Sequence, residues 1–162
     1  MHRTAIVVVS VATAGTAGVA LAGASQHVVP GAYESTPGTG VFLGPLTNSA
    51  RTYQMLIHES LLTDLVGLQL TGMSFRLPPS ATDPWPTAAD ARYDDYDVYL
   101  SGSVAPSMRS LVFEENVAGP RVQVRDGALN IGLGTHPSGG SPNDFGPAID
   151  FNDSAYVYTG GH

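Results

Sequence analysis

Between Leu77 and Arg92 the chain reads L-P-P-S-A-T-D-P-W-P-T-A-A-D-A-R. Pro78, Pro79, Pro84 and Pro86 each lack a backbone N–H and fix φ at about −65°, so this stretch joins neither a helix interior nor a central strand. The same punctuation runs through the chain. Pro30-Gly31, Pro37-Gly38 and Gly44-Pro45 interrupt residues 25–50, and Gly (19) and Pro (12) make up about a fifth of the 162 residues. Charged residues are only 13%, against roughly 25% in ordinary soluble domains. With 43% apolar residues the chain has material for a core and is not disordered by composition. Frequent turns, few charges and many β-branched residues predict one all-β domain.

R-T-Y-Q-M-L-I-H at 51–58 has the apolar density of a buried strand, with Tyr53, Met55 and Ile57 on one side. Leu61, Leu62, Leu65 and Val66 follow at the spacing of one helical face, with Ser60 where an N-cap belongs and Gly67 where the helix would end. This predicts a single short helix near 60–66. Residues 68–76 alternate as a strand, with Leu68, Leu70, Gly72 and Ser74 on one face and Gly72 marking a bulge. R-V-Q-V-R at 121–125, Asp126-Gly127 and A-L-N-I at 128–131 have the pattern of a β-hairpin. A loop of 16 residues, 132–147, then precedes A-I-D-F at 148–151; loops of that length are often functional. The strand A-Y-V-Y at 155–158 runs into Gly160-Gly161-His162, a turn with no strand after it, which predicts an incomplete C-terminus. The expected fold is an antiparallel β-sandwich of jelly-roll type over 51–162, preceded by an irregular arm at 25–50.

Residues 1–24 place Arg3 before an uncharged run that ends in Ala22-Gly23-Ala24. That is the small-x-small pattern of signal-peptide cleavage, so a mature chain from about Ser25 is expected, with a cut after Ala22 as second choice. The run is long enough for the ~20 residues of a membrane span. Its Gly, Ala and Thr content, and the lack of a basic cluster after it, favour a cleaved leader over an anchor. The expected protein is secreted or surface-associated, with no stable membrane span after cleavage. All seven basic residues are arginine, they are dispersed, and the net charge is −7, so neither nucleic acid nor an anionic membrane is an expected partner. The absence of cysteine excludes disulfides, thiolate zinc sites and a cysteine nucleophile.

Three groups of segments carry a family resemblance. They are T-Y-Q-M-L-I-H-E-S-L-L at 52–62 with M-S-F-R-L at 73–77; W-P at 85–86 with Y-D-V-Y-L-S at 96–101; and G-G-S-P-N-D-F-G-P-A-I-D-F at 139–151 with Y-V-Y-T-G-G at 156–161. Over most of the chain after the leader, this resembles exported bacterial proteins of the PEP-CTERM type. The resemblance implies a secreted protein without an assigned catalytic activity, and a further apolar strand after Y-T-G-G. The sorting tail itself is absent from this chain.

The densest chemistry is Y-D-D-Y-D-V-Y-L-S at 93–101. Read as a strand over 95–101, it puts Asp95, Asp97 and Tyr99 on one face and Tyr96, Val98 and Leu100 on the other. The apolar set then turns to the core and the carboxylates face water. The alternative is calcium, a hard cation that needs several oxygen ligands. Asp94, Asp95 and Asp97 would be its candidates, joined by Asp150 or Asp153 from another strand, although no D-x-[DN]-x-[DN]-G loop is present. A glycosidase pair would need one acid in an apolar cleft, which adjacent surface aspartates do not offer. No two histidines have metal-site spacing, and His58-Glu59 is followed by Ser60-Leu61-Leu62 rather than by H-E-x-x-H. His58 therefore reads as a sheet-edge residue. Trp85, Tyr93 and Tyr99, with Tyr96, are candidates for a sugar-stacking platform; the competing reading has Trp85 covering the core from its proline loop.

The expected function is a secreted, non-catalytic β-sandwich protein of the bacterial envelope or extracellular matrix. A carbohydrate-binding module, calcium-stabilised and meeting extracellular polysaccharide, is the second reading. A polysaccharide-directed enzyme is the third.

Overall fold

A computed structural model of the protein describes residues 7–12, 25–38, 44–46 and 49–162. The apolar piece at 41–43 and most of the leader lie outside the described residues. The described residues form nine strands: β1 (Val7–Ala12), β2 (Ser25–Val29), β3 (Gln69–Ser74), β4 (Ala91–Tyr93), β5 (Val98–Ser103), β6 (Val117–Arg125), β7 (Leu129–Ile131), β8 (Ile149–Asp150) and β9 (Tyr156–Val157). All pairings are antiparallel. The chain is all-β, in small open sheets joined by 3-10 turns.

The largest sheet runs β2-β1-β3, with β8 and β9 both on the far edge of β3. Along that edge Met73 and Gly72 face Ile149 and Asp150, while Leu70 and Gln69 face Tyr156 and Val157. The Phe151 N–H still donates to the Thr71 carbonyl of β3 (2.8 Å), and residues 152–155 are looped out between the two short strands. This loop does not hang free. The N–H of Asp153 donates to the Val124 carbonyl (3.0 Å) and that of Ser154 to the Gln123 carbonyl (3.2 Å), which ties the large sheet to β6. β6 pairs with β5, and β7 with β4, as two separate ribbons.

The core follows the alternation of β3, where Leu70, Gly72 and Ser74 are buried and their neighbours half-buried. Val29, Leu65, Leu70, Phe75, Ile149 and Tyr158 form one buried cluster, and Leu100 of β5 and Leu129 of β7 pack against it. Full burial of side chains of this size stabilises by about 1.5–3 kcal/mol each. Six such residues make a small core, so buried polar groups matter correspondingly.

Several expectations are corrected. Residues 51–58 join no ladder. They are held instead through Gln54, whose Nε2 donates to the Phe113 carbonyl (3.1 Å) and whose Oε1 accepts from Asn116 (2.8 Å). The helix near 60–66 is two successive 3-10 turns, Glu59–Leu61 and Thr63–Leu65, and the cap is His58, whose ring accepts from the Ser60 N–H. Only Leu65 is fully buried; Leu61 and Val66 face solvent, so the four residues never make one apolar face. The arm at 25–50 is not irregular throughout, because its first five residues are β2. Asp95 and Asp97 precede β5 rather than lying in it. The bulge expected at Gly72 is present: the register against β1 slips between Ser10, opposite Gly72, and Val11, opposite Leu70.

Asp126-Gly127 forms a turn, with Gly127 at φ +85, but β6 and β7 do not pair across it. Other segments take up the turn's polar groups. The Gly127 N–H donates to Asp97, its carbonyl accepts from the Tyr96 N–H, and the Asp126 N–H donates to Asn152. The turn therefore passes the chain from one ribbon to another.

Asn116, 1% exposed, shows how much a buried polar side chain carries here. Its Oδ1 accepts from the Ser110 N–H (2.7 Å), and its Nδ2 donates to the Ser110 carbonyl (3.0 Å) and to Gln54. Asn116→Ala leaves those partners unpaired, and a loss of about 2 kcal/mol is expected from urea unfolding. Gln54→Ala removes one of the three bonds to Asn116 and the exposed bond to the Phe113 carbonyl, and should cost less because Asn116 keeps both bonds to Ser110.

Candidate functional site

The structure builds two clusters from chemically capable residues. The first surrounds the Asp126-Gly127 turn. Asp94, Asp95 and Asp97 are all exposed in the segment between β4 and β5. Asp97 Oδ1 accepts from the Gly127 N–H (3.3 Å). A hydrogen bond with Asp97, then the negative charge of Asp97, holds the Asp95 carboxyl above the usual aspartate range, and Asp126 adds to this. Two carboxyls that close together share a proton more readily than either keeps one alone. Asp150 and Asp153 do not complete the group. Asp150 contributes its backbone carbonyl to Arg125 (3.3 Å), and Asp153 its backbone N–H to β6. The segment that does reach the turn is represented by Asn152, which both donates to and accepts from Asp126. Among the described residues no group of three or more His, Asp or Glu has an arrangement able to hold a metal ion.

The second cluster joins the two long loops. The N–H of Trp85 donates to the His136 carbonyl (2.9 Å), and the His136 N–H returns a bond to the Trp85 carbonyl (2.8 Å). The Gly134 N–H donates to the Pro86 carbonyl (2.9 Å), and the Leu133 N–H to Asp90 (2.9 Å). Buried Asn143 donates to the Pro78 carbonyl (2.9 Å) and accepts from the Gly140 N–H. The loop at 132–147 is thus zipped along the proline segment. The Trp85 and His136 rings meet edge to face at 5.2 Å. His136 is 2% exposed, and its Nδ1 has no hydrogen-bond partner among the described residues. A Cβ on Gly146 would collide with the His136 ring, so this position requires glycine. Burial holds the His136 imidazole below its usual range. An open trough of about 470 Å³, lined by Asp83, Pro84, Pro86, Thr87, Leu133 and Gly134, runs beside this contact.

The aromatic candidates are distributed over both regions. Trp85 lies in the zipped loops against His136. Tyr93 donates its hydroxyl to the Leu46 carbonyl (2.8 Å) and meets Tyr96 edge to face at 5.4 Å. Burial pushes the Tyr96 phenol up. Tyr99 is 46% exposed on β5, with the Arg121 guanidinium 5.1 Å from its ring centre. His58 and His162, far apart in sequence, bring their rings to 4.7 Å, and His162 Nδ1 accepts from the Glu59 N–H.

Sequence reasoning missed His136, Asn116, Asn143 and Arg125. Each is buried in a chain of 13% charged residues; Arg125 ends R-V-Q-V-R, whose alternation turns it outward, and Asn143 lies in the segment at 139–151, so neither pattern signals burial. The one available signal was placement: Asn143 and His136 sit in the loop whose length had drawn attention. Compared with known proteins, the chain matches no family model, no curated protein and no solved structure.

Two titrations test this geometry. The raised Asp95 carboxyl means that the folded state binds this proton more tightly than the unfolded chain, so the repulsion weakens folding above the aspartate range and vanishes below it. Asp95→Asn should therefore raise the melting temperature at pH 7, and the gain should disappear below about pH 3.5. For His136 the sign is opposite. Its folded pKa lies below the unfolded value of 6.5, so stability is complete above about pH 6.5 and erodes as pH falls through the folded pKa. Urea midpoints followed by fluorescence of Trp85, the single tryptophan, should fall from pH 7 to pH 5, and His136→Phe should flatten that slope.

Proposed function

We propose that this chain is a secreted, non-catalytic β-sandwich protein of the bacterial envelope or extracellular matrix, of the PEP-CTERM type. The observation that carries the reading is the use of its chemically capable side chains. Asp97 caps the Gly127 N–H, Asp90 caps the Leu133 N–H and Trp85 packs on His136. These groups hold loops rather than converge on a reacting position. Leu100 of β5 and Leu129 of β7 lie against the cluster built from β2, β3 and β8, which supports two facing layers. The run at 1–24 supports export.

A carbohydrate-binding module is the second reading. It is favoured by the exposed Tyr99 ring beneath Arg121 and by the trough of mixed polarity next to Trp85. Rings flanked by polar groups are what sugar faces require.

One preparation separates the readings. The full reading frame is expressed in a bacterial host with a secretory pathway, and the exported protein is weighed intact and passed over immobilised polysaccharides. The leading reading expects an N-terminus at Ser25 or Gly23 and no retention. A retained leader overturns export. Retention that Tyr99→Ala or Thr87→Ala abolishes replaces the leading reading with the binding module.

A further inference from the structure

Strand β1, residues 7–12, belongs to the segment read as a cleaved leader, yet it lies between β2 and β3. Val7 to Val11 pair with Val29 to Ser25 on one side, and Val8 to Ala12 pair with Ser74 to Gln69 on the other. We infer that the mature protein carries an open strand slot between β2 and β3, and that this slot takes an extended, uncharged, β-branched strand from a partner polypeptide. The inference rests on the proposed removal of residues 1–24.

Both walls of the slot are held from behind. β2 is anchored by Val29, buried with Leu65 in the core cluster. β3 is paired on its far edge with β8 and β9. Arg76, two residues beyond β3, donates to the carbonyls of Tyr33 (2.5 Å) and Thr36 (2.7 Å), in the turn that follows β2. This tie spans one end of the slot and uses no residue of β1. Loss of β1 therefore leaves two parallel walls about 9–10 Å apart, twice the spacing of neighbouring strands. Each wall presents a row of unpaired backbone donors and acceptors, the condition that recruits an added strand.

The chemistry of the occupant follows from the walls. Neither Ser25–Val29 nor Gln69–Ser74 contains Asp, Glu, Lys or Arg, and the segment seated there reads V-V-V-S-V-A, also uncharged. A charged strand would gain no partner and would lose its hydration. The shift of register at Ser10 and Val11 adds a positional demand, because the inserted strand must match a bulge in β3.

The test uses the full chain with a protease site inserted within residues 13–24 and cut after folding. A fluorescent peptide of residues 6–13 is offered in excess, both directly and during refolding from urea, and Trp85 fluorescence confirms that the chain is folded. The peptide should replace the cut strand, bind the uncut chain at least tenfold more weakly, and protect the amides of Ser25–Val29 and Gln69–Ser74 from hydrogen exchange. A Val9→Pro peptide, which lacks one backbone donor, should fail. No incorporation, equal binding to uncut chain, or equal binding of the proline peptide overturns the proposal. So does continued protection of both walls without any strand, which would mean that β2 had closed on β3, or a stable dimer that the peptide does not displace. The mass of the exported protein reports leader removal separately, so failure of that reading and failure of the slot are distinguishable.

Discussion

Strand β3 is hydrogen-bonded along both edges, and through its far edge it fixes the position of β6. One edge holds β1. The other is shared by two strands of two residues each, with 152–155 looped out between them. The looped-out residues bond to Gln123 and Val124, so the edge of one sheet fixes the position of the next. Arg125 strengthens the junction. It is 7% exposed, and its guanidinium donates to the carbonyls of Ala128 (2.6 Å) and Asp150 (3.3 Å). A buried cation held by backbone oxygens is tolerable only where the chain supplies those oxygens in fixed places. The end of the turn and β8 supply them, and β6 supplies the arginine.

A chain without cysteine must cross-link its loops by other means. Here two buried amides and one buried hydroxyl do so. Asn116 joins the segment at 51–58 to the turn at Ser110, and Asn143 joins the long loop to Pro78. Ser74 on β3 donates to the Gly146 carbonyl (2.7 Å). Each bond is modest, on the order of 1 kcal/mol net, but the penalty for leaving such a group unpaired is larger. The ties therefore specify which loop meets which more than they add to total stability.

The all-β class was legible because turn residues and alternation are local signals, and so were β3, its bulge and the turn at Asp126-Gly127. The outward direction of Asp95, Asp97 and Tyr99 was also legible, since alternation sets exposure even where a strand has not begun. Strand partners were not. A turn suited to a hairpin predicts that its flanks pair, but the choice between β5 and β7 as partner of β6 depends on where Asp97, Tyr96 and Asn152 place their polar groups, which is a tertiary matter. The helix near 60–66 failed for a related reason: four apolar residues at helical spacing are too few to hold a helix once His58 and the core fix a tighter turn. In the candidate site, the meeting of Asp95 with Asp97 could be read from adjacency, whereas the contact of Trp85 with His136 spans 51 positions and left no local trace.

The two short strands on the far edge of β3 also bear on time. Residues 69–74 receive their last partner only at Tyr156 and Val157. Pairings so distant along the chain close slowly, because loop entropy must be overcome before the contacts form. During synthesis the principal sheet stays open until nearly all of these 162 residues have emerged. A polypeptide in that condition has no closed sheet to resist being drawn out again, and it acquires its shape only when its last strand arrives.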